Sequence, residues 1–346
     1  MKPVFAYLRL AFAVTAIGLA LAGWLGWLTT GSFYGAASFL FTATVLAALE
    51  IALSFDNAIV NANKLKNMSP VWQRRFLTWG ILIAVFGMRI LFPLLVVVFA
   101  AKIGPISAVT MAAGDPERYG HIMEEAHVSI AAFGGTFLMM VALTYFIDDR
   151  KDVDWFATLE CKLRQCSSIR GIEIAIVLAM IIAFSSFLPR HEAATFLFAG
   201  SAGLLTFLGV EILGHVLDSS KDAKRMVRQG GLGAFLYLEM LDASFSFDGV
   251  IGAFALTRNL FLIAIGLGIG AMYVRSVTIM LVEMGTLSKF RYLEHGAFYS
   301  ILLLALIMFA QSFMHIPEVV TGLIGVVLIA LSLRSSLAHN RKHQRS

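Results

Sequence analysis

Again and again along this chain, a helix-length stretch passes with hardly a charge. Crossing the hydrocarbon core of a bilayer takes about 20 mostly apolar residues. Stretches that meet this rule fall at roughly 8–28, 35–62, 76–101, 129–147, 171–188, 193–217, 232–257, 260–285, 296–314 and 317–335. About ten transmembrane helices are therefore expected, and the fold class is an all-α, polytopic membrane helix bundle. Composition agrees: 59% of residues are hydrophobic and 14% charged, against about 25% charged in soluble domains. The first run, ending near Leu28, is longer than a usual signal-peptide core. No clear small-x-small cleavage site follows it, so it is read as a retained span. The whole of 1–346 is expected to form a single membrane domain.

Lys and Arg orient the spans. With the N-terminus in the cytoplasm, 21 of the 27 basic residues fall on the inner side and four on the outer. The remaining two, Arg89 and Arg275, lie inside spans. This skew follows the excess of positive charge on the cytoplasmic side of membrane proteins. It predicts a multi-pass protein of a bacterial inner membrane with both termini cytoplasmic. The net charge of +5 is explained by these short loops, so no nucleic-acid partner is expected. Cys161 and Cys166 lie five apart in one polar loop without a metal-ligand pattern and are read as reduced thiols.

Two spans contain acids. The first holds Glu50-Ile-Ala-Leu-Ser54-Phe-Asp56-Asn57, the second Glu239-Met-Leu-Asp242-Ala-Ser-Phe-Ser246-Phe-Asp248-Gly249. Placing Ser54-Phe55-Asp56 over Ser246-Phe247-Asp248 also places Glu50 over Asp242. The two segments open the second and seventh spans, so the copies cross the membrane in opposite directions. Arg89 of the third span then corresponds to Arg275 of the eighth, 33 and 27 residues beyond the respective aspartates. The longer polar loop of the first copy, Asn63 to Arg74, absorbs the difference. An inverted repeat follows, with 35–147 as the first half and 193–335 as the second, an architecture in which transporters place a midplane site.

A charge at the bilayer centre costs a few kcal/mol or more and marks function. Glu50, Asp56, Glu239, Asp242 and Asp248 bring five negative charges and Arg89 with Arg275 return two. Bare residual charge is costly in low dielectric, so either some carboxylates are protonated or a divalent cation joins them. Carboxylate, amide and hydroxyl oxygens without His or Cys favour hard ions such as Mn²⁺, Mg²⁺ or Ca²⁺. Exchange of protons for metal would couple transport to a proton gradient. Candidate metal ligands are Glu50, Asp56, Asn57, Glu239, Asp242 and Asp248. Ser54, Ser246, Arg89 and Arg275 support them from behind, the arginines as counter-charges. At about 100° per residue, Ser54, Asn57 and Asn61 lie near the Glu50 stripe while Asp56 points about 120° away. Either the helices are distorted at the Ser-Phe-Asp triplet or the outlying Asp faces another neighbour. Gly249 and Gly252 make distortion cheap in the second copy; the first has no Gly or Pro to do so.

Other polar groups read more simply. Glu211, His215 and Glu283 sit near cytoplasmic helix ends, where long side chains reach the interface. His121, Glu124, Glu125 and His127 form a solvated amphipathic segment, and His339 and His343 belong to a basic tail suited to anionic lipid.

At the two acidic segments the chain resembles the TerC family of integral membrane proteins, in particular its branch known only as a domain of unknown function. The family's Glu-x5-Asp-Asn motif matches Glu50, Asp56 and Asn57. Its Glu-x2-Asp-x2-Phe-x2-Asp motif matches Glu239, Asp242, Phe245 and Asp248, followed by Ala253, Thr257 and Asn259, and its downstream arginine matches Arg275. The resemblance covers about 45–95 and 235–285. It implies manganese efflux and the supply of metal to exported enzymes. Gly249 departs from the motif, which has Ser there, and the hydrophilic stretches 102–128 and 148–170 are additional.

The expected function is thus divalent metal cation transport, manganese efflux by the resemblance. The cation is cargo, and no cofactor is bound permanently. Partners are the lipid bilayer, the metal ion and, as an open alternative, a second copy of the chain. A membrane scaffold for cytosolic stress-response proteins, using loops 148–170 and 218–231, is the alternative. An intramembrane aspartyl protease built on Asp56 and Asp248 lacks the Gly-x-Gly-Asp motif and leaves three acids unexplained, so no enzyme is expected.

Overall fold

The computed structural model describes residues 3–149, 151, 153–169, 171–218, 231–314 and 316–343. Among these residues there are helices and connections but no strand. In chain order the helices begin with α1 (Val4–Thr30), α2 (Phe33–Leu53), α3 (Phe55–Leu65) and α4 (Pro70–Leu82). A π-helical stretch, Ile83–Leu91, leads into α5 (Phe92–Ala101), then α6 (Pro105–Gly114), α7 (Pro116–Glu125), α8 (His127–Ile147) and α9 (Ala157–Gln165). The rest are α10 (Ile172–Ser185), α11 (Arg190–Asp218), α12 (Leu232–Leu256), α13 (Leu260–Glu283), α14 (Thr286–Lys289), α15 (Leu293–Gln311) and α16 (Glu318–His343).

The protein is a polytopic helical membrane bundle. Eight helices among the described residues are long and apolar enough to cross a bilayer. The expected fifth span is the 14-residue α10. It forms a pair bent by 111° with 157–168, and counting that pair as one span gives nine. The expected seventh span is α12, 25 residues long but carrying Glu239, Asp242 and Asp248. The side chains of Asp248 and His215, and residues 219–230 of the second proposed scaffold loop, lie outside the described residues.

Helices α8 and α13 form the centre. α8 packs against α10, α11, α12 and α15, and α13 against α1, α2, α3 and the π-helical stretch. Apolar surface on every side marks a helix as buried or lipid-facing. α8 is the first kind, and α1, with Phe5, Trp24 and Trp27 exposed, is the second. The Gly-rich run in α13 sets its approach to α2. A β-carbon at Gly266 would lie 2.5 Å from Leu46 Cβ, and one at Gly270 would lie 2.4 Å from Glu50 Cβ. Small residues at such a crossing let backbones touch.

Two irregularities shape the middle of the bundle. The expected second span breaks at Ser54 (φ −102°, ψ 16°), where α2 ends and α3 begins. In the third, Pro93 cannot donate to the helical ladder, and the stretch before it widens into π geometry. Arg89 lies in that stretch and its Nη1 donates to the Ala84 carbonyl at 2.7 Å.

Both extra hydrophilic stretches fold onto the bundle. In 102–128, Tyr119 of α7 is fully buried, its ring 5.9 Å from that of Phe254. Arg258 pairs with Glu117 and, at 3.5 Å, with Glu124. His121 and Glu125 pair at 3.3 Å in the open, as a solvated segment should. In 148–170, the Glu160 carboxylate is fully buried. It pairs with Lys151 and accepts hydrogen bonds from the Trp155 and Phe156 amides and from Tyr299 Oη of α15, the last at 3.1 Å. This fastens the segment to α15. Cys161 and Cys166 are both free thiols.

Candidate cation site

Ser54 interrupts α2 just after Glu50, and the restart of the helix places Asp56 and Asn57 in the first turn of α3. Backbone donors exposed by such a start need partners. Asp56 supplies one, its Oδ1 accepting from the Asn57 amide at 2.8 Å. Its other oxygen, Oδ2, accepts from Ser300 Oγ of α15 at 2.6 Å. Both alternatives left by the helical phase therefore hold in the first copy: the helix is broken, and Asp56 faces a different neighbour from Glu50. Glycine content favours distortion in the second copy, yet α12 runs unbroken through Gly249 and Gly252. Glycine permits a break, whereas satisfied backbone donors stabilise one.

Glu50, Asp56, Asn57, Glu239, Asp242, Arg89 and Arg275 are all buried, none more than 8% exposed. Arg89 Nη2 donates to Glu50 Oε1 at 2.5 Å, and Ser54 Oγ donates to the same oxygen at 3.3 Å. In the second copy Arg275 Nη2 lies 3.9 Å from Asp242 Oδ2. Glu50 and Asp242, which align in sequence, thus meet Arg89 and Arg275 respectively. Asn57 joins the halves, its Nδ2 donating to Asp242 Oδ1 at 2.7 Å. The Arg275 guanidinium also rests 3.8 Å from the Phe76 ring centre, a cation–π contact. Glu239 stands at Gly80, where a β-carbon would lie 2.5 Å from Glu239 Oε1 and 3.0 Å from Arg275 Nη2. Neither Glu239 oxygen has a hydrogen-bond partner among the described residues. Ser246 is buried, and its hydroxyl is likewise without one.

Glu50 lies between two small cavities. One, of about 10 Å³, is bounded by Asn57, Asn61, Arg89, Asp242, Arg275 and Thr278. The other, of about 20 Å³, is bounded by Ser54, Asp56, Gly249, Ser300, Thr321 and Gly325, with no arginine. Ser246 lines neither. Ser300 and Thr321 are absent from the residues that sequence reasoning selects. Each is one hydroxyl in an apolar span, and nothing in the spacing marks it.

A third cavity, of about 830 Å³, opens beyond, with Leu49, Glu124, His127, Glu192, Gly252 and Leu256 among its walls. Along α12 the groups follow in order. Glu239 comes first at Gly80 and Arg275, then Asp242 in the arginine-lined cavity, Gly249 in the arginine-free one, and Gly252 with Leu256 in the large one. Glu239 to Leu256 covers about 25 Å at 1.5 Å per residue, most of a hydrocarbon core.

Among the described residues no three His, Cys, Asp or Glu side chains cluster as a ready-made metal site. Any cation held here would draw on hydroxyl and amide oxygens beside one or two carboxylates. No curated protein and no solved structure matches the chain. A family profile does, over residues 55–343, which takes in the second acidic segment whole and the first from Phe55 onward. The chain accordingly belongs to the family described as proteins of unknown function, DUF475.

Proposed function

We propose that this protein transports a divalent metal cation across the membrane through the buried carboxylates of its two halves. One observation carries the reading. Four described acids, Glu50, Asp56, Glu239 and Asp242, are buried with two arginines, Arg89 and Arg275. With every group ionised, four negative and two positive charges leave −2. Each buried ion forfeits several kcal/mol of hydration, and a passing dication supplies the missing charge. The order of polar groups along α12, ending in a cavity that opens at one face, supports a route past them. The matched pairs Glu50–Arg89 and Asp242–Arg275 support inverted repeats that could open alternately to either side.

Manganese as the cargo and efflux as the direction rest on the TerC resemblance. The distribution of Lys and Arg supports cytoplasmic termini in a bacterial inner membrane, with the large cavity facing outward. The test is Mn²⁺ uptake into proteoliposomes by wild type and by Asp56→Asn and Asp242→Asn. Both substitutions keep side-chain size, and an Asn at 56 can still accept from the Asn57 amide through its Oδ1. Wild type should carry Mn²⁺, and each variant should lose at least about tenfold in rate, the equivalent of 1.4 kcal/mol. Normal rates in both variants would sink the site. Intact cellular function after neutralising these acids would favour the scaffold reading.

A further inference from the structure

The two cavities beside Glu50 differ in chemistry, and this divides the labour between the two oxygens of one carboxylate. Oε1 is taken by Arg89 and Ser54. Oε2 is turned the other way, 3.0 Å from where a β-carbon on Gly249 would sit, and Gly249 lines the arginine-free cavity. We infer that the cation is held on that side, between Glu50 Oε2 and Asp56, with the hydroxyls of Ser54, Ser300 and Thr321 completing its oxygen shell. This assignment rests on the transport reading above and names which of the buried groups touch the cargo.

Four observations support it. Asp56 has no cationic side chain paired with it among the described residues; its partners are the Asn57 amide and Ser300. The Thr321 hydroxyl is buried, only 7% of the residue being exposed, and has no hydrogen-bond partner among the described residues. It lines this cavity, and an oxygen buried without a partner is a cost that a bound ligand would return. Third, the cavity is the right size. Its volume of about 20 Å³ exceeds the 10–15 Å³ or so that one water needs, so a single ion enters stripped of most of its hydration. Gly325 keeps the wall thin here: a β-carbon there would lie 2.9 Å from Ser300 Oγ and 3.7 Å from Asp56 Oδ2. Finally, the donors are all oxygens, with no sulfur or imidazole, which suits a hard dication. The opposite cavity carries two guanidinium groups that repel any cation at close range. There Arg89 holds Glu50 in place, while Asp242, held by Asn57 and facing Arg275, balances charge.

The last two helices therefore contribute directly to the site: Ser300 from α15 and Thr321 from α16. The experiment compares Thr321→Val and Ser300→Ala with Thr278→Val, a buried threonine on the arginine side. Purified full-length protein is assayed for Mn²⁺ uptake in proteoliposomes and for Mn²⁺ binding by calorimetry in detergent. Thr321→Val and Ser300→Ala should each weaken binding and raise KM roughly tenfold, the worth of about 1.4 kcal/mol of lost coordination. Thr321→Ser should restore wild-type values, and Thr278→Val should change them less than about twofold. A wild type that carries Mn²⁺ while Thr321→Val and Ser300→Ala remain normal would overturn this seat and leave the transport reading standing. Thr278→Val proving as damaging as Thr321→Val would overturn the seat in the same way. A wild type that neither binds nor carries Mn²⁺ would overturn the transport reading itself.

Discussion

The two acidic segments share a Ser-Phe-Asp triplet and treat the backbone in opposite ways. Around Ser246 the helix continues through α12, although glycines follow closely. Around Ser54 it stops and restarts without any glycine, and the restart brings Asp56 to Ser300. The difference is in what receives the exposed polar groups. At Ser54 the side chains of Asp56 and Glu50 accept hydrogen bonds from the broken turn, whereas the Ser246 hydroxyl has no partner among the described residues. Irregular backbone at membrane depth persists only where it is buried in protein or lines a cavity, and the break at Ser54 does both.

The largest effect should come from removing the cation that holds the first copy together. Arg89→Leu leaves the buried Glu50 with only Ser54, and losing one partner of a buried pair costs about 3–5 kcal/mol. Thermal unfolding in detergent should show a sharp fall in Tm, largely recovered when Glu50→Gln is added. A single variant melting with wild type would remove the pair from any structural role. Gly80→Ala should come next. It forces a methyl group against Glu239 and Arg275, and overpacking of this kind costs about 1–3 kcal/mol. An unchanged Tm would place Glu239 away from Gly80. The smallest effect separates the two copies most directly. Ser54→Ala loses a long hydrogen bond, 3.3 Å, to a carboxylate, about 1.5 kcal/mol, the low end for a charged acceptor. Ser246→Ala removes a hydroxyl without a partner and should leave Tm within the noise or raise it. Equal losses in the two variants would erase the distinction between the copies.

Much of this was legible in the sequence because buried charge is so conspicuous in apolar runs. Glu50, Asp56, Asp242 and Glu239 stand out individually, and aligning the copies was enough to match Arg89 and Arg275 with their acids across loops of unequal length. Helical phase also put Asp56 off the Glu50 stripe unless the helix is distorted, and the break at Ser54 supplies that distortion. The pattern could not show which copy breaks, because that depends on Ser300, about 240 residues away in sequence and on another helix. Ser300 and Thr321 look like ordinary hydroxyls in lipid-crossing helices. Only the packing of α15 and α16 against α3 turns them toward an acid. The widening at Arg89 was equally silent, since a proline in a membrane-spanning run does not say how the turns before it relax.

Residues Tyr299 and Ser300 are consecutive on α15, about 100° apart around the helix, and each is committed to a different carboxylate. Tyr299 holds Glu160 of the 148–170 segment, and Ser300 holds Asp56. A rigid helix cannot turn to free one without dragging the other. The polar strap at 148–170 and the buried aspartate thus share one anchor, two neighbouring side chains on a single helical turn.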